Sequence, residues 1–187
     1  MIKTDGLSAR SQLVQPEAGK IIGFLPDLQN YYLRIESTPK HMDKIVPLIG
    51  SAEVGPLGVL HLPRLWLKIS LDAKGALANG YPAVGTGFDQ MVLDGLGLKK
   101  DAVVEFITKN RPTYCEFEAW IKEQPGRRLD SASITKLNDS IRGYNHDEGT
   151  VQSVLGENEL PSDIGIRDAV TLNRIDDWKC FHEAVLK

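Results

Sequence analysis

Two basic side chains, Arg64 and Lys68, stand four residues apart inside His61-Leu62-Pro63-Arg64-Leu65-Trp66-Leu67-Lys68-Ile69-Ser70-Leu71. At about 100° per residue, a helix puts Leu62, Leu65, Trp66, Ile69, Ala73 and Ala76 on one stripe. Leu67 and Leu71 fall on the opposite side, with the two cations between the apolar regions. A helix apolar nearly all round belongs in the centre of a domain, where a charged side chain either snorkels to water or meets a partner. Cations in a first turn also oppose the helix dipole, at about 0.3–1 kcal/mol when exposed. A small anion at that place would gain from the dipole, the free N–H groups and the guanidinium together. Three readings stand side by side: an internal ion pair of Arg64 with Asp89, Asp94 or Glu118; a bound carboxylate or phosphate; or an idle surface pair.

His61 adds acid–base chemistry, since its imidazole titrates near neutral pH. It is the candidate catalytic residue, transferring a proton while Arg64 and Lys68 hold a substrate carboxylate and Asp89 or Tyr81 assists. Trp66 and Tyr81 are the aromatic side chains placed to complete a ligand site, although Trp66, Trp120 and Trp178 fit core positions better than ligand platforms. Other chemistries lack their motifs. There is no Gly-x-Ser-x-Gly elbow, Cys115 sits among Tyr114 and Phe117 as a packed thiol would, and the glycines of Gly80 to Gly87 lack a phosphate loop's Lys-Ser/Thr ending. His41 with Asp43, His146 with Asp147 and Glu148, and Cys180 with His182 and Glu183 do not follow helical metal-ligand spacing. Neither a metal nor a cofactor is expected.

These residues need helices to position them, and the chain is written largely in helical signals. Thr38 as N-cap and Pro39 at the first position open a short helix through Met42, Ile45, Val46 and Leu48, with Pro47 as a kink. A helix from Pro63 to about Ala76 follows, then a turn-rich connection. Thr86 with Asp89 and Thr113 with Glu116 have capping-box spacing, and the helices they open end at Gly97 and at Pro125-Gly126. Lys99 to Lys109 forms a helix between them. Asp130 or Ser131 starts another, which aligns Ile134, Leu137 and Ile141. Residues 144–163 are less regular, and two short helices close the chain, one over Ile164 to Leu172 and one capped by Asp176. The expectation is an all-α, irregular orthogonal bundle of about seven short helices over 37–187. Residues 1–36 read as an N-terminal arm and extended segment, with a short strand around Tyr31 to Ile35.

Composition sets outer limits. With 42% hydrophobic and 25% charged residues over 187 positions, the chain can bury a core and is not a disordered polymer. A net charge of −3 with scattered basic residues leaves no footprint for nucleic acid. No apolar run has the length of a membrane span, and the first twenty residues lack the apolar region of a secretory signal. Cys115 and Cys180, far apart and without a CxxC, read as reduced thiols, and the expected address is the cytoplasm.

The stretch from Gly55 to Leu98 resembles a bacterial domain family of unknown function. The similarity is carried by Leu62, Pro63, Arg64 and Lys68, then Gly87, Asp89, Leu96 and Gly97. Later stretches, Phe117-Glu118-Ala119-Trp120-Ile121, Lys136 to Ile141 and Ile175-Asp176-Asp177-Trp178, are similar to the family's later helices. The resemblance spans roughly residues 55 to 180 and implies a mostly helical fold, with no activity, substrate or cofactor attached. The functional expectation is therefore a small anionic ligand held by Arg64 and Lys68 at the start of the Pro63 helix. Two alternatives stay open: an enzyme working through His61, and a module without a pocket that serves homodimerisation or a partner helix.

Overall fold

A short Thr-x-x-Glu sequence makes one of the clearest local structures in the molecule. In the computed structural model, which describes residues 43–187, the Thr113 hydroxyl accepts the Glu116 amide, and the Glu116 carboxylate takes the Thr113 amide in return. Aspartates cap three further helices, each accepting an amide three residues on: Asp130 from Ser133, Asp147 from Thr150 and Asp168 from Thr171. The resulting α-helices are α1 (Leu62–Asp72), α2 (Phe88–Leu96), α3 (Lys100–Asn110), α4 (Tyr114–Glu123), α5 (Ser131–Arg142), α6 (Glu148–Glu157) and α7 (Ala169–Phe181). A π-helical turn, His182–Leu186, follows α7. The fold is all-α; among the described residues the only β pairings are two isolated bridges, Ile45 with Leu77 and Asn145 with Asp168.

The apolar stripe of α1 supplies the centre. Leu62, Leu65 and Ile69 are essentially fully buried and pack with Phe88, Val92, Leu93 and Leu96 of α2, Val103 and Ile107 of α3, and Phe117 and Ile121 of α4. Each such aliphatic side chain contributes roughly 1.5–3 kcal/mol over its exposed state, an upper figure because unfolded chains already bury some surface. Leu137 and Ile141 close the same core from α5, which lies against α2 and α7. A second, smaller cluster joins Val151 and Leu155 of α6 to Leu172 of α7.

Several expectations are corrected by packing. From Asp43 to Gly50 the chain is not helical; Ile45 is bridged to Leu77 and the chain bends at Ile49, so the helix expected through Ile45, Val46 and Leu48 is absent there. Pro47 removes a backbone donor in that stretch, and its carbonyl is taken instead by Arg64. Thr86 does not cap α2; Gly87 holds the N-cap position without a side-chain hydrogen bond, and Asp89 is drawn inward to other partners. The two closing helices are one, α7, in which Asp176 is interior rather than a cap. Residues 148–157 are regular after all, capped by Asp147. The arm over 1–36, the strand at Tyr31 to Ile35 and the Thr38-Pro39 helix start lie outside the described residues. No helix of the described residues is long and apolar enough to cross a membrane.

Candidate functional site

Beside α1 lies a cavity of about 290 Å³ whose lining includes His61, Arg64, Lys68, Tyr81 and Asp89. Five of the six residues singled out from the sequence are therefore brought together. The sixth, Trp66, is not: its indole N–H donates to the Pro112 carbonyl at 3.1 Å and its ring meets Tyr114 edge-on, away from this cavity. Trp66 points elsewhere because its position on α1 turns it toward α4. Nor do Leu62 and Pro63, the first residues of α1, line the cavity, which touches the helix through the side chains of His61, Arg64 and Lys68.

The negative charge that both cations need comes from within the chain. Arg64 and Asp177 form a two-pronged pair at 2.7 and 2.9 Å, with side chains only 7% and 5% exposed. The same guanidinium donates to the carbonyls of Pro47 and Ile49, which ties the non-helical 43–51 segment to α1. Tyr81 donates its hydroxyl to Asp177 at 2.9 Å, and its ring lies 5.9 Å from the guanidinium carbon. Burial, with the neighbouring Cys180 and Asp177, pushes the Tyr81 phenol upward, so it stays protonated and a donor. The internal partner of Arg64 is thus Asp177 rather than Asp89, Asp94 or Glu118. Glu118 instead accepts the Leu57 amide and the Tyr114 hydroxyl, and the Asp94 carboxylate accepts from Gln90.

Lys68 pairs with Asp89, which also accepts from His61 Nε2 at 2.8 Å and from the Gly85 amide at 2.6 Å. Burial alone would raise the Asp89 carboxyl, but the His61 hydrogen bond and the Lys68 ammonium outweigh it and hold it below the usual carboxylate range. For His61, burial dominates and lowers its pKa despite Asp89, so the ring is neutral near pH 7. An ionised carboxylate only accepts, which puts the imidazole proton on Nε2; Nδ1 then accepts from the Ser51 hydroxyl at 2.9 Å. Both ring nitrogens are occupied, and proton transfer through His61 would require one of these bonds to break. Its backbone sits in the left-handed region at φ 65°, held there by the two ring bonds and an edge-on contact with Phe88 at 5.4 Å.

The helix α7, which supplies Asp177 to this paired wall, contributes residues that spacing in the sequence could have revealed. Asn173, Asp176 and Asp177 fall at i, i+3 and i+4, one face of a helix, and all three line the cavity. A polar stripe on a helix that also carries buried Ala169 and Leu172 is the signal that was legible there. Tyr144 and His146, from the segment before α6, complete the rim. His146 Nε2 stands 3.4 Å from the Asn173 side-chain oxygen, and Tyr144 packs edge-on against both Phe88 and His146. Among the described residues no side chain pairs with the half-buried Asp176 carboxyl. Burial first, then Asp177 and Glu157, push its pKa upward. No three His, Cys, Asp or Glu side chains among the described residues come together as a metal-ligand set.

No protein-family model matches the chain, and no curated protein matches it.

Proposed function

We propose that this domain binds a small molecule in the cavity beside α1, and that Lys68 anchors an acceptor group of that ligand, a carboxylate. One observation carries the reading: Lys68 is 6% exposed and lines the cavity, yet among the described residues only one of its three donors is taken, by Asp89. A buried ammonium with spare donors gains from any further acceptor within reach. Arg64 plays a different part, because its charge is already met by Asp177 and its remaining bonds hold the 43–51 segment. The volume, enough for roughly ten water-sized groups, suits a ligand of a few carbons. We also propose, on the Leu62-Pro63-Arg64 and Lys68 pattern, that the chain is a member of the bacterial helical family it resembles, and that it works in the cytoplasm.

The test is titration with propionate and butyrate, followed by amide chemical shifts in the unaltered protein and by calorimetry in Lys68→Met. Shifts centred on Lys68, Phe88 and Asp89, with binding lost in the variant, are expected. Shifts clustered instead around Arg128 and Lys136, or no saturable binding, would overturn the reading. Circular dichroism checks that the variant is folded; the shift map in the unaltered protein stands whether or not it is.

A further inference from the structure

The charges around the cavity do not cancel. Two cations, Arg64 and Lys68, face three carboxylates, Asp89, Asp176 and Asp177, while His61 is neutral. Asp89 and Asp177 are each saturated by several donors, so the unmatched group is Asp176. A ligand bringing only a carboxylate to Lys68 would add a fourth anion to a partly buried space, which is costly at low local dielectric. A ligand that also brings a cation would restore the balance. The cavity suits one: the aromatic rings of Phe88 and Tyr144 line it together with Asp176, and electron-rich rings favour cations.

We propose that the cavity takes a small amino-carboxylate, its carboxylate on Lys68 and its ammonium on Asp176 beside the Tyr144 and Phe88 rings. The inference rests on the Lys68 reading and adds the ligand's second charged end. Asp176 and Lys68 come from α7 and α1, so one ligand would bridge two helices that already meet through Arg64 and Asp177. The ammonium needs an ionised Asp176, whose pKa is raised by burial, Asp177 and Glu157 against smaller opposing effects of Lys179 and Arg64, with His146 at the rim. Affinity for the amine-bearing ligand therefore falls on acidification through that raised value.

The experiment is calorimetric titration of the full chain with alanine, β-alanine and γ-aminobutyrate, each beside its amine-free counterpart, propionate or butyrate. At least one amino acid should bind about tenfold or more tightly than its counterpart, the scale of one charge-assisted hydrogen bond. Asp176→Asn should erase that preference and its acid sensitivity, and should tighten the amine-free acids, which then meet one carboxylate fewer. If propionate or butyrate binds and Lys68→Met abolishes it, but the amines add nothing, this inference fails and the Lys68 reading stands. It fails in the same way if Asp176→Asn keeps the full preference. If no carboxylate binds at all, the Lys68 reading fails and this inference falls with it.

Discussion

Breaking the Arg64–Asp177 pair from either side should destabilise the domain more than removing both charges together. Replacing Arg64 by Met leaves a buried carboxylate with only the Tyr81 hydroxyl, and replacing Asp177 by Leu leaves a buried guanidinium with two carbonyls. With both side chains under a tenth exposed, solvent screens little, and each single change should cost about 3–5 kcal/mol, the range for one orphaned partner of a buried pair. The double variant removes both charges, so its main loss is the pair of hydrogen bonds to the Pro47 and Ile49 carbonyls, about 1–3 kcal/mol at roughly 0.5–1.5 kcal/mol each. For a domain of this size the single variants should melt lower by roughly 6–20 °C. Urea unfolding of the four proteins, followed by far-ultraviolet circular dichroism and tryptophan fluorescence, completes a double-mutant cycle. A double variant less stable than both singles, with losses that simply add, would show that the two charges do not depend on each other. A single variant costing under about 1 kcal/mol would refute the burial argument itself.

Acidification should weaken the fold in two stages. His61 is buried neutral with a lowered pKa, so the unfolded state takes up its proton first, and stability declines as pH falls below about 6.5. Asp89 has a depressed pKa, so its contribution is complete above the unfolded value near 3.8 and disappears as pH falls through the lower folded value. Urea midpoints measured from pH 7 to pH 3 should show both declines, and a flat profile between pH 7 and pH 5 would contradict the account of His61. Gly55→Ala should cost about 1–3 kcal/mol by overpacking, because the added methyl would lie 2.2 Å from a Tyr114 ring carbon and 2.6 Å from a Glu118 oxygen. Tyr114 cannot easily move aside, since its hydroxyl is bound to Glu118 at 2.6 Å, and an unchanged melting temperature would show that it does.

Much of the scaffold can be read directly from the chain. The Thr113–Glu116 box, the Asp130 cap, the Leu62, Leu65 and Ile69 stripe of α1 and the glycine stop at Gly97 depend on neighbours within a turn or two and appear as read, although the helix expected to reach about Ala76 ends at Asp72. The failures share one feature: a distant partner competes for a local signal. Thr86 and Asp89 have the spacing of a capping box, but His61 and Lys68 take Asp89. Asp176 has the residue type of a cap, but Asp168 opens the helix earlier and leaves Asp176 facing the cavity.

The sequence by itself determined that α1 would be central and that two cations would stand between its apolar faces, because periodicity and charge are properties of one short segment. Which carboxylates would answer them was decided only by the tertiary structure. Asp177 lies 113 residues from Arg64, and Asp89 lies 21 residues from Lys68. Asp89 and Asp94, both on α2, are equally charged, yet the packing of α1 against α2 brings only Asp89 within reach of Lys68. Charge can be counted along a chain, but pairing requires approach within about 4 Å, and approach is set by how the helices bury their apolar faces.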